Sequence, residues 1–182
     1  MESVRQERKV RICLKMLEVE VKARVPGFSE IEEKLKNLNA RFIKTETQED
    51  IYFAHPSRDF GETDEAARVR KINDKFFLTY KGPKIDAETK TREEIEIPVE
   101  ENIIIILEKL GFTKWRTVRK ERKTYKLNDL TICLDDVSGL GNFIEIETKE
   151  YENKNKIFEL FRKLGVDKKD CITKSYAELF DG

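Results

Sequence analysis

Alternation between apolar and charged residues dominates the first well-patterned segment of the chain, LEVEVKARV (17–25). Apolar side chains occupy the odd-numbered positions, whereas Glu18, Glu20, Lys22 and Arg24 occupy the even-numbered ones. Successive side chains of a β-strand point to opposite faces, so this period of two predicts a strand with one apolar and one charged face. The charged face is either the solvated side of an edge strand or part of a polar interior.

The same period recurs along most of the remaining sequence and is typical of strands. Further strands are predicted at 41–53, 66–72, 75–81, 91–99, 112–127, 130–136 and 142–150. Asn-Asp dipeptides at 73–74 and 128–129 predict tight turns, which would make the flanking strands hairpins.

Three segments follow helical spacing instead. The first, around 26–40, places Ser29 and Glu32 in the positions of a capping box. The second, 100–111, and the third, roughly 153–164, each stop at a glycine. Each has one apolar face, which is expected to cover the apolar side of a sheet.

These elements predict an α+β fold with about eight strands, largely antiparallel because most connections are hairpins. Eight strands are enough to close a β-barrel, and the helices would then pack outside it, over apolar positions that include Ile95, Ile97 and Ile144. A chain of 182 residues fits one domain. We assign 16–182 to a single domain and the basic segment 1–15, which lacks the apolar core of a signal peptide, to an N-terminal extension.

Composition narrows the classes of function. The 36 basic and 36 acidic residues cancel, so no overall positive field favours nucleic-acid binding. No apolar stretch approaches the roughly 20 residues needed to span a bilayer. With only one histidine, catalytic triads and His-bound zinc are disfavoured, and any metal is expected to be a hard cation bound by oxygen. Three widely spaced cysteines suit a reducing cytoplasm.

The polar faces of the predicted strands hold charges in sorted groups. Glu-x-Glu pairs lie at 18/20, 94/96 and 145/147, and basic pairs lie at 68/70 and 120/122. On an open sheet these groups would simply be solvated, whereas in a closed barrel they would line its bore. Because unpaired buried charge is costly, such a bore would persist only with a ligand of matching charge. Paired carboxylates suit Mg²⁺ or Mn²⁺ and clustered cations suit phosphate, which together indicate a metal-bound polyphosphate.

Ordered motifs along the chain resemble the CYTH superfamily, which is named for class IV adenylate cyclases and thiamine triphosphatases. The pattern begins with Glu18-x-Glu20-x-Lys22, similar to the E-x-E-x-K signature of that family. There follow, in order, DIYF at 50–53, ARVRK at 67–71, LTYKGP at 78–83, TREEIE at 91–96, KERKTY at 120–125 and CLDDVSGLGNFIEIE at 133–147. The resemblance covers about residues 16–180 and implies a closed eight-stranded antiparallel β-barrel, the triphosphate tunnel.

The same resemblance implies roles for individual side chains, with carboxylates holding Mg²⁺ or Mn²⁺ and basic groups binding the triphosphate. The implied metal ligands are Glu18, Glu20, Asp135, Glu145 and Glu147. The implied substrate-binding residues are Lys22, Arg68, Arg70, Lys81, Arg92, Lys120 and Arg122. Lys22 and Asp135 are also the implied catalytic residues, Asp135 as a further metal ligand or as a group that orients water. For Arg92 and Glu94, a cross-strand ion pair fits the sequence equally well.

The implied activity is that of an enzyme acting on a triphosphate small molecule: ATP, thiamine triphosphate or tripolyphosphate. The motif match favours a cyclase that forms cyclic AMP and pyrophosphate, with a metal-dependent triphosphatase as the alternative and a non-catalytic polyphosphate-binding module as a third reading. The expected setting is cytoplasmic, without membrane or nucleic-acid partners, and apolar surface on a helix or on the barrel wall would support a homodimer. We expect Glu20→Gln and Arg70→Ala to lower turnover by orders of magnitude while leaving the melting temperature unchanged or raised.

Overall fold

A computed structural model of the protein describes residues 17–85 and 88–180. The predicted extension 1–15 lies outside the described residues, so its assignment stays a prediction. Within the described part, no helix is long and apolar enough to cross a membrane.

Within residues 17–85 and 88–180, nine antiparallel strands form one sheet, and eight of them close into a barrel. The strands are β1 (Leu17–Arg24), β2 (Arg41–Ala54), β3 (Ala66–Ile72), β4 (Lys75–Lys81), β5 (Arg92–Val99), β6 (Thr113–Leu127), β7 (Leu130–Val137), β8 (Gly141–Thr148) and β9 (Cys171–Ile172). Their order in the sheet is β5-β4-β3-β2-β6-β7-β8-β1-β9, and a further pairing of β5 with β1 completes the ring. The closed eight-stranded antiparallel barrel that the motif resemblance implies is confirmed, and it agrees with the predicted number of strands.

Three separate segments meet the edge of β1 that faces away from β8. β5 pairs with it only at Leu17 and Glu18, and β9 pairs with it at Lys22 and Ala23. Between these two contacts, the backbone N–H of Lys90 donates to the carbonyl oxygen of Glu20 over 2.9 Å. The connection between β4 and β5 therefore helps to seal the barrel where its strand pairing is shortest.

Five helices lie at the ends and on the outside of the barrel. They are α1 (Ser29–Asn37), α2 (Phe60–Thr63), α3 (Ile103–Lys109), α4 (Lys154–Leu164) and α5 (Tyr176–Leu179), with short 3₁₀ turns at Tyr151–Asn153 and Lys168–Asp170. The glycine stops predicted for α3 and α4 are confirmed, since Gly111 and Gly165 adopt φ values of 93° and 85°. Such left-handed backbone is accessible to glycine at little cost.

The capping box predicted for α1 is wrong. The helix begins at Ser29 itself, its N-cap is Phe28, and no side chain caps it. Glu32 instead accepts hydrogen bonds from Lys123 and from the hydroxyl of Tyr125, both on β6. Because the carboxylate of Glu32 bonds to two side chains of β6, it does not cap the start of α1.

The main core lies between two helices and one side of the barrel. Ile31 and Leu35 of α1 and Phe161 of α4 pack against outward-facing side chains of β1 and β8 such as Val19 and Ile146. Full burial of a side chain of this size contributes about 1.5–3 kcal/mol. This core fixes the positions of β1 and β8, whose other faces form one wall of the bore.

Helices do not cover the whole barrel, which corrects one expectation from the sequence. Ile144 is buried as predicted, but Ile95 and Ile97 on the outer face of β5 are 40% and 50% exposed. α3, which follows β5 along the chain, packs its Leu107 in a cluster with Val69 of β3 instead. The apolar alternation of β5 predicted the strand correctly but not what covers it.

Candidate active site

The bore of the barrel contains a cavity of about 910 Å³. Inward-pointing charged side chains of six strands form much of its wall: Glu18, Glu20, Lys22, Arg68, Arg70, Lys81, Arg92, Lys120, Arg122, Glu145 and Glu147. The structure thus brings together every side chain for which the sequence implied a role in binding metal or substrate, except that Asp135 lies behind the wall and not on it. Closure of the barrel directs these side chains into one enclosure.

One wall is acidic because of the register between β1 and β8. Glu20 lies directly opposite Glu147, and Lys22 lies opposite Glu145. Like charges at directly opposed positions destabilise a sheet unless a cation compensates them. Burial and the neighbouring carboxylates Glu18 and Glu145 raise the pKa of Glu147 to about 7. At Glu147 the nearby cations therefore do not offset burial and the neighbouring carboxylates.

Glu18 contributes a carboxylate oxygen with unused lone pairs. Burial acts to raise the pKa of Glu18, but Lys81 opposes this, and the pKa lies below its ordinary value. The nearest ammonium groups, those of Lys81 and Lys149, are both 3.7 Å from its Oε2, and that buried atom has no hydrogen-bond partner. An oxygen of this kind is suited to a ligand that the barrel itself does not supply.

Lysines separate the other carboxylates of this wall. The Nζ of Lys22 lies 3.2 Å from Glu20 Oε1 and 3.3 Å from Glu145 Oε2. Burial alone would lower the pKa of Lys22, but Glu20 and Glu145 raise it above its ordinary value, so the amine stays charged. With the side chains so arranged, no group of three or more His, Cys, Asp or Glu residues among those described is placed to hold a metal.

The donor set of the acidic wall nevertheless fits a hard divalent cation. Its donors are carboxylate oxygens, the type that Mg²⁺ and Mn²⁺ prefer. The free oxygen of Glu18 and the raised pKa of Glu147 both point to a position where added positive charge would be favourable. For Glu20 and Glu145 to serve as ligands, basic groups would have to give up contacts with them: Lys22 with both, Lys90 with Glu20 over 3.1 Å and Arg122 with Glu145 over 3.0 Å.

The opposite wall is basic and is organised by Asp50, a residue to which the sequence assigned no role. Asp50 accepts a two-pronged ion pair from Arg70, with nitrogen to oxygen distances of 2.6 and 2.7 Å. Arg68 and Lys120 lie 3.5 and 4.0 Å from its Oδ2. Burial would raise the pKa of Asp50, but Arg70 and Arg68 hold it well below its usual range. Asp50 therefore clusters three cations.

Asp135 organises a second group of cations in the same way. Arg122 donates to both of its oxygens over 2.6 Å, and Lys120 lies 3.3 Å from Oδ2. The hydroxyl of Tyr176 donates to the same Oδ2 over 2.8 Å. Asp135 is fully buried, and although burial acts to raise its pKa, Arg122 and Lys120 lower it. Its oxygens are occupied by protein donors in this arrangement.

Tyr176 belongs to α5, lines the cavity and contacts two of the predicted substrate-binding lysines. Its ring centroid is 4.2 Å from Nζ of Lys22 and 4.9 Å from Nζ of Lys120, distances typical of cation–π contacts. A complete capping box between Ser175 and Glu178 fixes the start of this four-residue helix. α5 thus holds the ring of Tyr176 in contact with Lys22 of the acidic wall and with Lys120 of the basic wall.

On β5, the cross-strand ion pair that fitted the sequence forms at Glu94 but not at Arg92. Glu94 accepts from Lys81, its register partner on β4, over 2.5 Å. Arg92 instead lies 3.6 Å from the carboxylate of Asp64, in the connection between β2 and β3, and its buried Nε has no partner. Arg92 thus lines the cavity with an ion pair to a connecting segment and with one N–H that no group in the described structure accepts.

One mouth of the bore is aromatic. Trp115, at the start of β6, is 48% exposed and meets Tyr52 edge to face, with ring centroids 6.4 Å apart. The connection between β2 and β3 adds Phe60 and His55, whose rings are 5.4 Å apart. These four side chains line the same cavity as the charged walls. A ligand lying along the bore would therefore meet charge in the interior and aromatic surface at this mouth.

Comparison with known proteins places this site in a family. The family model of the CYTH domain matches residues 16–176 of this chain. The chain belongs to the CYTH family. This confirms the resemblance that the ordered motifs indicated.

Among curated CYTH relatives, the chain is 45% identical over 172 residues to "Putative adenylate cyclase MJ0240" of Methanocaldococcus jannaschii, covering 90% of this chain and 98% of that protein. Among solved structures, it is similar to the PH1819 protein of Pyrococcus horikoshii OT3, with a TM-score of 0.80 and 43% identity over 90% of this chain and 97% of that one. The fold also matches "Putative adenylyl cyclase HpAC1" of Hippeastrum, a protein with a dominant triphosphatase activity, at a TM-score of 0.65 and 22% identity over 90% and 95% of the two chains.

Sequence reasoning missed three buried residues of this CYTH site: Asp50, Lys90 and Tyr176. Asp50 shares a strand face with Tyr52, and the quoted motif DIYF contains it, so its inward direction was within reach of the sequence. Lys90 and Tyr176 lie in a connection and in a short helix, where a two-residue period does not apply. Only the folded chain brings these two to the bore.

Proposed function

We propose that this CYTH protein is a metal-dependent enzyme that acts on a triphosphate held in the bore, and that its reaction is the conversion of ATP to cyclic AMP and pyrophosphate. The observation that supports this best is the division of one enclosure into an acidic wall and a basic wall. A metal-bound triphosphate has the complementary charges, because its cation suits the carboxylates and its phosphate oxygens suit the basic groups.

The triphosphate is bound by the basic wall, which comprises Arg68, Arg70, Lys120 and Arg122, with Lys81, Arg92 and Lys22 beside it. Arg70 and Arg122 already have fixed orientations, since Asp50 and Asp135 each hold one of them through paired contacts. Groups fixed before the substrate arrives lose little freedom on binding it. They also stabilise the charge that develops on the leaving phosphate.

Mg²⁺ or Mn²⁺ is held by Glu18, Glu20, Glu145 and Glu147. When bound, the cation neutralises phosphate oxygens and helps to orient the reacting group. Asp135 was predicted as a further ligand and catalytic group, but its contacts with Arg122, Lys120 and Tyr176 favour a different role. We assign Asp135 to the positioning of Arg122 and Lys120.

In the cyclase reaction the 3′-oxygen of the ribose forms a bond to the α-phosphorus, and the proton of that hydroxyl passes to solvent. The bond from that phosphorus to the oxygen bridging to the β-phosphate breaks, and pyrophosphate leaves with that oxygen. Because Lys22 stays charged, its role is to stabilise negative charge and not to accept the proton.

The aromatic mouth supports a substrate with an organic group attached to the triphosphate. Trp115 and Tyr52 offer ring surface at one end of the charged bore, where a base can pack. Inorganic tripolyphosphate has no group for such a surface. The identity of 45% with a relative named as an adenylate cyclase also favours ATP.

Hydrolysis of a triphosphate is the second candidate, and one observation favours it. A smaller cavity of about 240 Å³ outside the main one shares Glu147 and Lys149 with it. Water can reach the acidic wall from that side and attack a terminal phosphate of ATP, thiamine triphosphate or tripolyphosphate. Orthophosphate would then be released.

A single assay separates these activities. Purified protein is incubated with ATP, thiamine triphosphate or tripolyphosphate and Mg²⁺ or Mn²⁺, and the products are followed by phosphorus NMR. Cyclic AMP with pyrophosphate supports the cyclase, and orthophosphate supports the triphosphatase. Binding of a triphosphate without any product would contradict both and leave a binding module.

Glu20→Gln provides the mutational test of the acidic wall. We expect turnover to fall by about 10³-fold, since one charged ligand is lost from the metal site. The melting temperature is expected to fall, against the expectation from the sequence, because the buried ammonium groups of Lys22 and Lys90 lose the carboxylate that they share. Glu121→Gln, on the exposed outer face of β6, is the control and should leave both quantities unchanged. Full activity of a folded Glu20→Gln protein would contradict the assignment.

A further inference from the structure

Lys90 is a buried cation of the bore that lies on no strand. It is 5% exposed and belongs to the connection between β4 and β5. Its backbone N–H bonds to the carbonyl of Glu20, so the main chain at this point is tied to β1. Its side chain lines the same cavity as the acidic and basic walls.

The ammonium of Lys90 occupies a carboxylate oxygen that the proposed function gives to a metal. Nζ lies 3.1 Å from Oε1 of Glu20, and Nζ of Lys22 lies 3.2 Å from the same atom. Two ammonium groups thus share one carboxylate, whereas Lys22 has a second carboxylate partner in Glu145. Lys22 can therefore leave Glu20 and keep a carboxylate partner, whereas the ion pair that Lys90 forms is with Glu20.

A divalent cation bound at Glu20 would repel an ammonium group that stays on the same oxygen. Lys90 has a flexible four-carbon stem, and its backbone contact with β1 does not restrain its ammonium. Phosphate oxygens of a substrate in the bore would offer this ammonium a new partner, beside the carboxylate of Glu178, which lines the same cavity and already interacts with Lys90. Because a triphosphate carries several negative charges, a lysine that leaves Glu20 gains its strongest counter-ion when metal and triphosphate bind together.

We propose that Lys90 is an internal counter-ion that occupies Glu20 in the ligand-free protein and transfers to the triphosphate when metal binds. This rests on the proposed function, because it requires both ligands to enter the bore. It makes the two binding events cooperative, since the triphosphate stabilises the displaced position of Lys90 and so favours the metal. Metal alone would bind weakly, and Lys90 would be a binding residue additional to those that the sequence indicated.

The test measures binding and not turnover. Mn²⁺ binding is measured by isothermal titration calorimetry, alone and with a triphosphate whose bridging oxygens are replaced by methylene groups. Lys90→Met keeps the size of the side chain and removes its charge, and Lys90→Arg keeps the charge. Lys84→Met is the matched control, since Lys84 lies in the same connection but pairs with Asp64.

We expect Lys90→Met to bind Mn²⁺ alone about tenfold more tightly and the triphosphate analogue about tenfold more weakly, so that the cooperativity between them falls. Lys90→Arg should resemble the wild type in its weak binding of Mn²⁺ alone, and Lys84→Met should be unchanged. Glu20 keeps Lys22 as a partner in the variant, so folding is expected to persist; Lys90→Gln repeats the test if the methionine variant does not fold.

Two different failures are distinguishable. If the wild type binds both ligands but Lys90→Met has the same or weaker affinity for Mn²⁺, the role of Lys90 is overturned and the proposed function stands. If the wild type binds neither Mn²⁺ nor the triphosphate analogue, the proposed function fails first.

Discussion

Two kinds of carboxylate face the cations of this barrel, and they differ in what the protein gives them. Asp50 and Asp135 each accept paired contacts from an arginine at 2.6–2.7 Å and have a lysine nearby. Glu18 and Glu147 are different, since one has a buried oxygen without a partner and the other has a pKa raised to about 7. The aspartates have cations at hydrogen-bond distance, whereas the ammonium groups beside Glu18 are 3.7 Å away and the cations near Glu147 do not offset its burial.

This difference separates positioning from binding within one set of acidic residues. A carboxylate that is already saturated fixes its arginine but has little capacity left for a ligand. A carboxylate short of positive charge destabilises the empty protein and gains when a cation arrives. By residue type alone these groups look alike, and the following variants are designed to test whether they differ.

The largest effect is expected for Asp135→Ala. Removal of this carboxylate leaves Arg122 and Lys120 buried without their main partner, which should lower the free energy of unfolding by about 3–5 kcal/mol. Asp136→Ala is the control, because Asp136 is exposed on the other face of β7 and should change stability by less than about 0.5 kcal/mol. Urea unfolding measures both. Equal effects of the two variants would contradict the positioning role of Asp135.

Arg70→Ala should come next. The structure changes the expectation from the sequence, because this variant leaves Asp50 buried without its paired contact. Arg68 and Lys120 remain near Asp50, so we expect a loss of about 2–3 kcal/mol in place of an unchanged melting temperature. Thermal unfolding compared with Arg119→Ala, on the outer face of β6, tests this. A fully stable Arg70→Ala protein would show that Asp50 does not depend on Arg70.

Glu147→Gln is expected to act in the opposite direction. The ordinary pKa of this carboxyl is 4.5 and the folded value is about 7, so the folded protein binds the proton more tightly than the unfolded chain. The free energy of unfolding of the metal-free protein should therefore fall as pH rises from about 4.5 to 7. The amide removes this loss and should stabilise by about 1–2 kcal/mol at pH 8, with little effect at pH 4.5.

Chemical denaturation across this pH range in a chelating buffer measures the difference. Glu121→Gln on the outer face of β6 serves again as the control. A difference between Glu147→Gln and the wild type that did not vary with pH would mean that Glu147 is not short of positive charge.

The smallest effect is expected for Tyr176→Phe. This variant removes one hydrogen bond to Asp135, which keeps its arginine and lysine, so the loss of stability should be about 1 kcal/mol. The ring remains beneath Lys22, so the cation–π contact is retained. Tyr125→Phe removes a comparable bond to Glu32 outside the bore. Only the Tyr176 variant should weaken binding of the triphosphate analogue, by a few-fold. Equal affinities of the two variants for this analogue would contradict a link between Tyr176 and the site.

Most of the fold followed from alternation in the sequence. β3 and β4 have the predicted bounds, and Asn73 adopts the left-handed conformation that their tight turn requires, with φ of 54°. The inward direction of Glu18, Glu20 and the basic pairs was also predictable, because a period of two fixes the face of a strand.

Other features depend on which elements meet, and no local pattern specifies that. Ser29 and Glu32 have the right spacing for a capping box, but β6 offers Glu32 stronger partners. Asp135 looks like a metal ligand in the sequence, yet the register between β6 and β7 places it directly opposite Arg122. Pairing between strands, and not residue type, therefore decides which carboxylates remain open to a ligand.

The short contact between β1 and β5 has a consequence for hydrogen exchange. Two residue pairs join these strands, whereas β2 and β6 pair along almost their whole lengths. Loss of so few hydrogen bonds needs less free energy than separation of a long ladder. The amides of this seam, including that of Lys90, which adds one bond to Glu20, are therefore expected to exchange with solvent hydrogen before those of the ladder between β2 and β6.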